Sequence, residues 1–189
     1  MEDGYIDNHE KNAEQKKQEP SAVNKEVKEW ARSIILAVVL AVIIRLFLIE
    51  VFLVEGTSMF PTLQHQERLI VNKAVYYLRE PEKGEIVVFN YSPRRDFIKR
   101  VIALNGDTVE IRSGELYVND DLVDEPYIEN YSAMDFGPVV VPEGHAFVLG
   151  DNRSNSMDSR DSAVGYISLE RVKGKAFVIF WPLINLRLL

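Results

Sequence analysis

Ser58 stands in the run Val54-Glu55-Gly56-Thr57-Ser58-Met59-Phe60-Pro61-Thr62-Leu63. The run is too short for a helix and too broken by glycine and proline for a long strand. A serine on such a turn can present its hydroxyl outward instead of capping a helix, so Ser58 is a candidate nucleophile. It becomes one only beside a base. Among the three histidines, His65 and His145 fall in polar turns with no evident partner to orient either ring, and His9 lies in the N-terminal tail. A Ser-His triad is therefore disfavoured.

Lys99 is the alternative base. In Asp96-Phe97-Ile98-Lys99-Arg100-Val101-Ile102, strand alternation puts Phe97, Lys99 and Val101 on one face and Ile98, Arg100 and Ile102 on the other. A lysine between Phe and Val on an apolar face is a candidate for desolvation, which disfavours the ammonium form. A lysine base near neutrality must fall from about 10.4 to roughly 7–8. The same pattern also admits a lysine that keeps its charge by snorkelling to water. The residues alone leave these two readings open.

A third stretch, Gly150-Asp151-Asn152-Arg153-Ser154-Asn155-Ser156-Met157-Asp158-Ser159-Arg160-Asp161, is almost wholly polar and follows an apolar strand. It reads as a solvated loop with Asx turns, or as a network of its own. Calcium is disfavoured, because the spacing of Asp151, Asp158 and Asp161 does not match an EF-hand and Arg153 and Arg160 oppose a cation. Carboxylates here can instead pair with Arg100 and Arg160 and lock the loop against the lysine strand.

The elements that must position these residues come in two kinds. Residues 1–29 are polar and rich in Glu, Lys, Asn and Gln, which predicts a disordered tail. Residues 30–53 carry the long apolar run. As a helix, Ser33 to Val54 would reach roughly 33 Å, enough for a bilayer core of about 30 Å. Arg45 sits near the far end, where its stem can snorkel. Lys16, Lys17, Lys25, Lys28 and Arg32 precede the run, so the positive-inside rule predicts a cytoplasmic tail and an extracytoplasmic remainder. No small-x-small cleavage site follows the run, which favours an uncleaved signal anchor in the cell membrane over a cleaved leader.

From Arg68 onward the pattern turns to short strands between Gly, Pro, Asn and Asp. The spacing predicts strands at 69–71, 85–89, 97–104, 108–111, 116–118, 122–123, 139–141, 146–149 and 175–181, with a hairpin turn at Asn119-Asp120-Asp121 and a short helical turn within 72–78. Phe180, Trp181 and Leu183 are expected in a buried final strand. The expected fold is all-β and mainly antiparallel, a sandwich or barrel-like domain over residues 54–189 behind a single transmembrane helix.

The totals exclude several chemistries. The chain of 189 residues has no cysteine, so disulfides, thiolate metal sites and a cysteine nucleophile are out. Three histidines make a multi-histidine metal site unpromising. A net charge of −7 without a basic block argues against nucleic acid.

Taken in order, Gly56 to Leu63, Arg68 to Lys73, Lys99 to Ile102 with Gly106-Asp107, and Gly150 to Arg160 resemble the bacterial type I signal peptidases. The likeness runs from about Trp30 to the end, and the single anchor looks like the compact Gram-positive form. The resemblance implies a membrane-bound serine endopeptidase that removes signal peptides after small residues (Ala-x-Ala). It implies Ser58 as nucleophile, Lys99 as general base, and Ser156 as the hydroxyl that orients the lysine. Arg100, Asp151 and Asp158 match positions that hold the site together, and Arg160 belongs to the same motif. Signal peptides of pre-proteins and the lipid bilayer are the implied partners, with no cofactor, metal or nucleic acid. Two departures stand out. Gly56 occupies a position where some members carry an oxyanion-donating hydroxyl, and Asn105 precedes Gly-Asp where many have proline. The competing classes are an intracellular Ser-Lys autoprotease, a membrane-anchored peptide-binding β module without catalysis, and a structural surface protein. The first would carry a DNA-binding region in place of an anchor, the reverse of this chain.

Overall fold

A computed structural model describes residues 22–130 and 134–189. The chain divides between Ile43 and Ile44 into two compact units. The first contributes one helix, α1 (Ala22–Ile43). It starts before Trp30, because residues 24–29, polar apart from Val27, contain no helix breaker and continue the helical run. The rest of the expected tail, residues 1–21, lies outside the described residues. With the π-helical turn Ile44–Leu48 that follows, the segment Lys25–Leu48 has a mean hydropathy of 2.5 and is long and apolar enough to cross a membrane. None of it is buried against protein, unlike the core helix of a soluble domain.

The helical run ends five residues earlier than the end of the expected anchor at Leu53. Ile49–Leu53 is a strand, β1. Its β-branched and aromatic residues suit a pleated surface. Tertiary contacts decide the outcome: Glu50 meets Lys73 at 3.5 Å, and Phe52 packs against a buried cluster. A carboxylate that burdened a membrane helix is thereby given a cationic partner.

The second unit continues with β2 (Arg68–Asn72), a 3-10 turn at Ala74–Tyr77, β3 (Ile86–Ser92), β4 (Arg95–Ala103), β5 (Thr108–Arg112), β6 (Glu115–Val118), β7 (Asp121–Leu122), β8 (Phe136–Val140), β9 (His145–Leu149), β10 (Ile167–Ser168), β11 (Val172–Trp181) and β12 (Arg187–Leu188). Every strand pairing is antiparallel. The large sheet runs β1-β2-β11-β3-β4-β9-β10, with β12 added to β11, and the small one runs β7-β6-β5-β8. The β6–β7 turn is the predicted hairpin, with Asn119 and Asp120 both at positive φ. Strands β1, β10 and β12 were not expected from the pattern; the last two are only two residues long, too short for alternation to register.

Alternation along β3 feeds two cores. Ile86 and Val88 join Val54, Met59, Leu63, Leu69, Val71, Ala176 and Ile179 on one side. Val87 and Phe89 join Val101, Ala146, Val148, Val164 and Ile167 on the other. A third cluster, with Phe147 and Leu149, packs between β9 and the small sheet. The end of β11 departs from the expected buried strand: Ile179 is buried but Trp181 and Leu183 are exposed, because a register shift between Ile179 and Trp181 breaks the alternation.

Leu63 is fully buried beneath the Ser58 turn. Leu63→Ala is expected to lower the unfolding free energy by about 2–5 kcal/mol, measured by denaturant titration of the detergent-solubilised protein.

Candidate active site

Ser58 lies on the turn after β1, and Lys99 lies midway along β4. Lys99 Nζ sits 2.8 Å from Ser58 Oγ and donates to the Ile98 carbonyl at 3.1 Å. It also lies 5.1 Å from the centre of the Phe97 ring, on the face alternation assigned to it. Lys99 is only 3 % exposed, so the snorkelling alternative is not what this backbone permits. Burial pushes its pKa down to about 8, against the pull of the Asp158 and Asp151 charges, which favour the ammonium. The two described histidines are engaged elsewhere. His65 Nδ1 accepts from the Gly56 amide at 3.1 Å, and His145 Nδ1 meets the Glu143 carbonyl at 2.7 Å.

The polar loop brings in the remaining predicted residues. Asp151 and Asp158 are fully buried. Arg100 grips Asp151 with two bonds, Nε to Oδ1 at 2.9 Å and Nη2 to Oδ2 at 2.6 Å. Arg160 grips Asp158 in the same way, at 2.8 and 2.9 Å. Asp158 also accepts the Gly150 amide at 3.0 Å. Such bidentate, charge-assisted pairs fix geometry as well as sign. Asp161 caps the amide of Ala163 at 2.8 Å and stays outside this network. Ser156 is near, but its Oγ is buried without a hydrogen-bond partner among the described residues. The contact to Lys99 that the family resemblance implies is not made. Instead Ser156 abuts Gly150, where an added Cβ would come within 2.2 Å of Ser156 Oγ and 2.4 Å of the Ser58 carbonyl. Only glycine lets the loop lie this close to the Ser58 turn.

Several participants carry no local sequence signal. Arg153, 4 % exposed, pairs with Glu125 from the segment between β7 and β8 and donates to the Gly150 carbonyl at 3.0 Å. Tyr127 donates to Glu125 at 2.8 Å, and its ring lies 3.8 Å from the Arg100 guanidinium. Thr62 donates its hydroxyl to Asp151. Arg187 donates to the Thr62 carbonyl at 2.7 Å and to the buried Glu67 at 2.8 and 2.9 Å, so the C-terminal segment braces the serine turn. These pairs join residues far apart in sequence, and only the fold makes them neighbours.

A groove of about 630 Å³ runs past Ser58 and Lys99. One wall is formed by residues 52–59 and another by 94–99, with Asn155 and Met157 at the side. Both walls carry unpaired strand edges among the described residues. β1 pairs with β2 alone, and β9 covers β4 only from Arg100 to Ala103.

A family model described as "Signal peptidase, peptidase S26" matches residues 27–181. The chain belongs to this signal peptidase family. It is 41 % identical to signal peptidase I S of Bacillus subtilis (strain 168), over 90 % of this chain and 98 % of that one. It is 47 % identical to a signal peptidase I of Bacillus licheniformis, over 84 % and 91 %. A crystal structure of a signal peptidase I from Enterococcus faecalis V583 matches with 34 % identity and a TM-score of 0.44, covering 51 % of this chain and 97 % of that one. Every residue of the Ser58, Lys99 and Gly150–Arg160 stretches falls inside the signal peptidase match, whereas Arg187 lies beyond it.

The two carboxylates set an expectation for pH. Asp158 and Asp151 hold the Lys99 pKa up, so removing one negative charge lowers it further. Asp158→Asn is expected to move the acid limb of the pH–activity profile to lower pH, read from kcat/KM between pH 6 and 10. A shift to higher pH would contradict this electrostatic account.

Proposed function

We propose that this signal peptidase is a single-pass membrane endopeptidase that cleaves signal peptides from secretory pre-proteins after small residues, Ala-x-Ala, with Ser58 as nucleophile and Lys99 as general base. The tail would be cytoplasmic and the β unit extracytoplasmic, following the charge bias around the apolar helix. The observation that carries the reading is the 2.8 Å approach of a buried lysine amine to Ser58 Oγ. At a pKa of about 8 roughly a tenth of Lys99 is neutral at pH 7 and half at pH 8, and only the neutral amine can accept a proton.

The free edges of β1 and β4 face the same groove. An extended cleavage-site segment fits there as an added strand, its backbone bonded to both edges. Ser58 Oγ then forms a bond to the scissile carbonyl carbon, and the carbonyl π pair moves onto oxygen. The Ser58 proton passes to Lys99 Nζ. Collapse of the oxyanion breaks the C–N bond, and the leaving amine takes that proton. A water gives its proton to Lys99 as its oxygen bonds to the acyl carbon. The acyl C–Oγ bond then breaks, Lys99 Nζ returns that proton to Ser58 Oγ, and the carboxylic acid leaves with both residues restored. A membrane anchor adds proximity, because enzyme and anchored substrate share one surface.

The test is incubation of the detergent-solubilised protein with a pre-protein whose signal ends in Ala-x-Ala. Cleavage at that site should be lost in both Ser58→Ala and Lys99→Ala, and in the wild type should rise with pH through about 8. Persistence of cleavage in Lys99→Ala, or an acid-side optimum, would remove the lysine base.

A further inference from the structure

Attack by Ser58 puts a full negative charge on the former carbonyl oxygen, and that oxygen needs donors already aimed at it. Gly56 has no side chain to offer, and its amide N–H is engaged by His65 Nδ1 at 3.1 Å. The Ser58 amide N–H has no protein acceptor among the described residues. Its direction is set by the peptide unit it shares with the Thr57 carbonyl. That peptide is trans, so the carbonyl and the amide point in opposite directions.

Asn152 holds the carbonyl side. Its Nδ2 donates to the Thr57 carbonyl at 3.1 Å, and its backbone N–H donates to the Ser58 carbonyl at 3.0 Å. One residue thus grips both carbonyls that flank the nucleophile. The Thr57 carbonyl also receives the Phe60 amide at 3.0 Å, which closes the turn on itself but does not tie it to the rest of the protein. Asn152 ties the Thr57 carbonyl to the loop, while Asn155 Nδ2 donates only to the Thr57 hydroxyl, at 3.0 Å, and Asn152 is itself well held. Its Oδ1 accepts from the Ser154 hydroxyl at 3.2 Å, and its neighbours Asp151 and Arg153 are locked by Arg100 and Glu125. Gly150 lets this loop press against the Ser58 carbonyl.

We infer that Asn152 is a positioning residue for the oxyanion hole: by holding the Thr57 and Ser58 carbonyls on the loop side, it turns the Ser58 amide N–H toward the groove as an oxyanion donor. The inference rests on the Ser58–Lys99 reading. Without Asn152 the peptide keeps only the Phe60 bond within the turn, its carbonyl can swing toward the oxyanion position, and the transition state loses its donor while the ground-state substrate keeps its strand contacts.

The experiment compares two ligands of one sequence on the full-length protein in detergent. One is a signal-derived peptide ending in an alanine aldehyde, which adds reversibly to Ser58 and develops charge on oxygen. The other is the same peptide ending in a carboxamide, which does not react. Asn152→Asp keeps the shape but removes the side-chain donor. It should weaken aldehyde inhibition by about tenfold or more, below the 10²–10³ lost when a donor itself is removed. Carboxamide binding should stay within about twofold, and kcat should fall with KM nearly unchanged. Ser154→Ala, a milder change that only loosens the Asn152 carboxamide, should move the aldehyde-to-carboxamide ratio in the same direction and by less. An unchanged ratio in both variants overturns the inference, as does equal weakening of both ligands, which marks a merely structural role. If the wild type neither cleaves nor distinguishes the two ligands, the Ser58–Lys99 reading fails instead.

Discussion

The structure depends on keeping one amine dry. Lys99 lies on an apolar strand face with its Nζ against Ser58 and its stem beside Phe97. Moving its pKa from 10.5 to about 8 corresponds to about 3 kcal/mol of disfavoured ammonium. Folding must overcome that cost whenever the lysine is charged, and the surrounding elements show how. β4 is paired to β3 up to Arg100 and to β9 from Arg100 on, so the strand that carries Lys99 is held on both sides at the residue next to it. The Ser58 turn is seated on Met59 and Leu63, both in the buried cluster, which keeps the hydroxyl from drifting away from its partner.

The charges around the lysine are arranged to limit their effect on it. Asp151 and Asp158 are fully buried and would strongly favour an ammonium if left bare. Arg100 and Arg160 neutralise them with two bonds each. The carboxylates can then organise the Gly150–Arg160 loop, including the amide of Gly150, while the burial of Lys99 still decides its charge. Removing either partner of such a pair leaves an uncompensated buried charge, which is far more costly than the pair itself is stabilising.

What could be read from the sequence followed physical range. Period-two alternation placed Lys99 opposite Arg100, and β4 keeps that arrangement, with Lys99 toward Ser58 and Arg100 toward Asp151. Turn chemistry placed the Asn119–Asp120 hairpin. The end of the apolar segment was not legible, since Ile49 to Leu53 suits either a membrane helix or a strand, and only pairing with β2 and the Glu50–Lys73 contact decides. Glu125, Thr62 and Arg187 were invisible because their partners lie far along the chain. Ser156 was placed near Lys99 by family resemblance, yet its hydroxyl makes no bond there. The oxyanion question raised by Gly56 was not legible from side-chain types, because the contact that bears on it, Asn152 Nδ2 to the Thr57 carbonyl, joins residues far apart in the chain.

The central claim is that Lys99 gives up its proton near pH 8, far below an ordinary lysine, and its titration can be observed directly. With lysine labelled at ¹³Cε and ¹⁵Nζ in the intact detergent-solubilised protein, the Lys99 resonance is assigned by its loss in Lys99→Arg. The account predicts a midpoint near pH 8, well separated from the other lysines. A midpoint above pH 10, among the ordinary surface lysines, would contradict it.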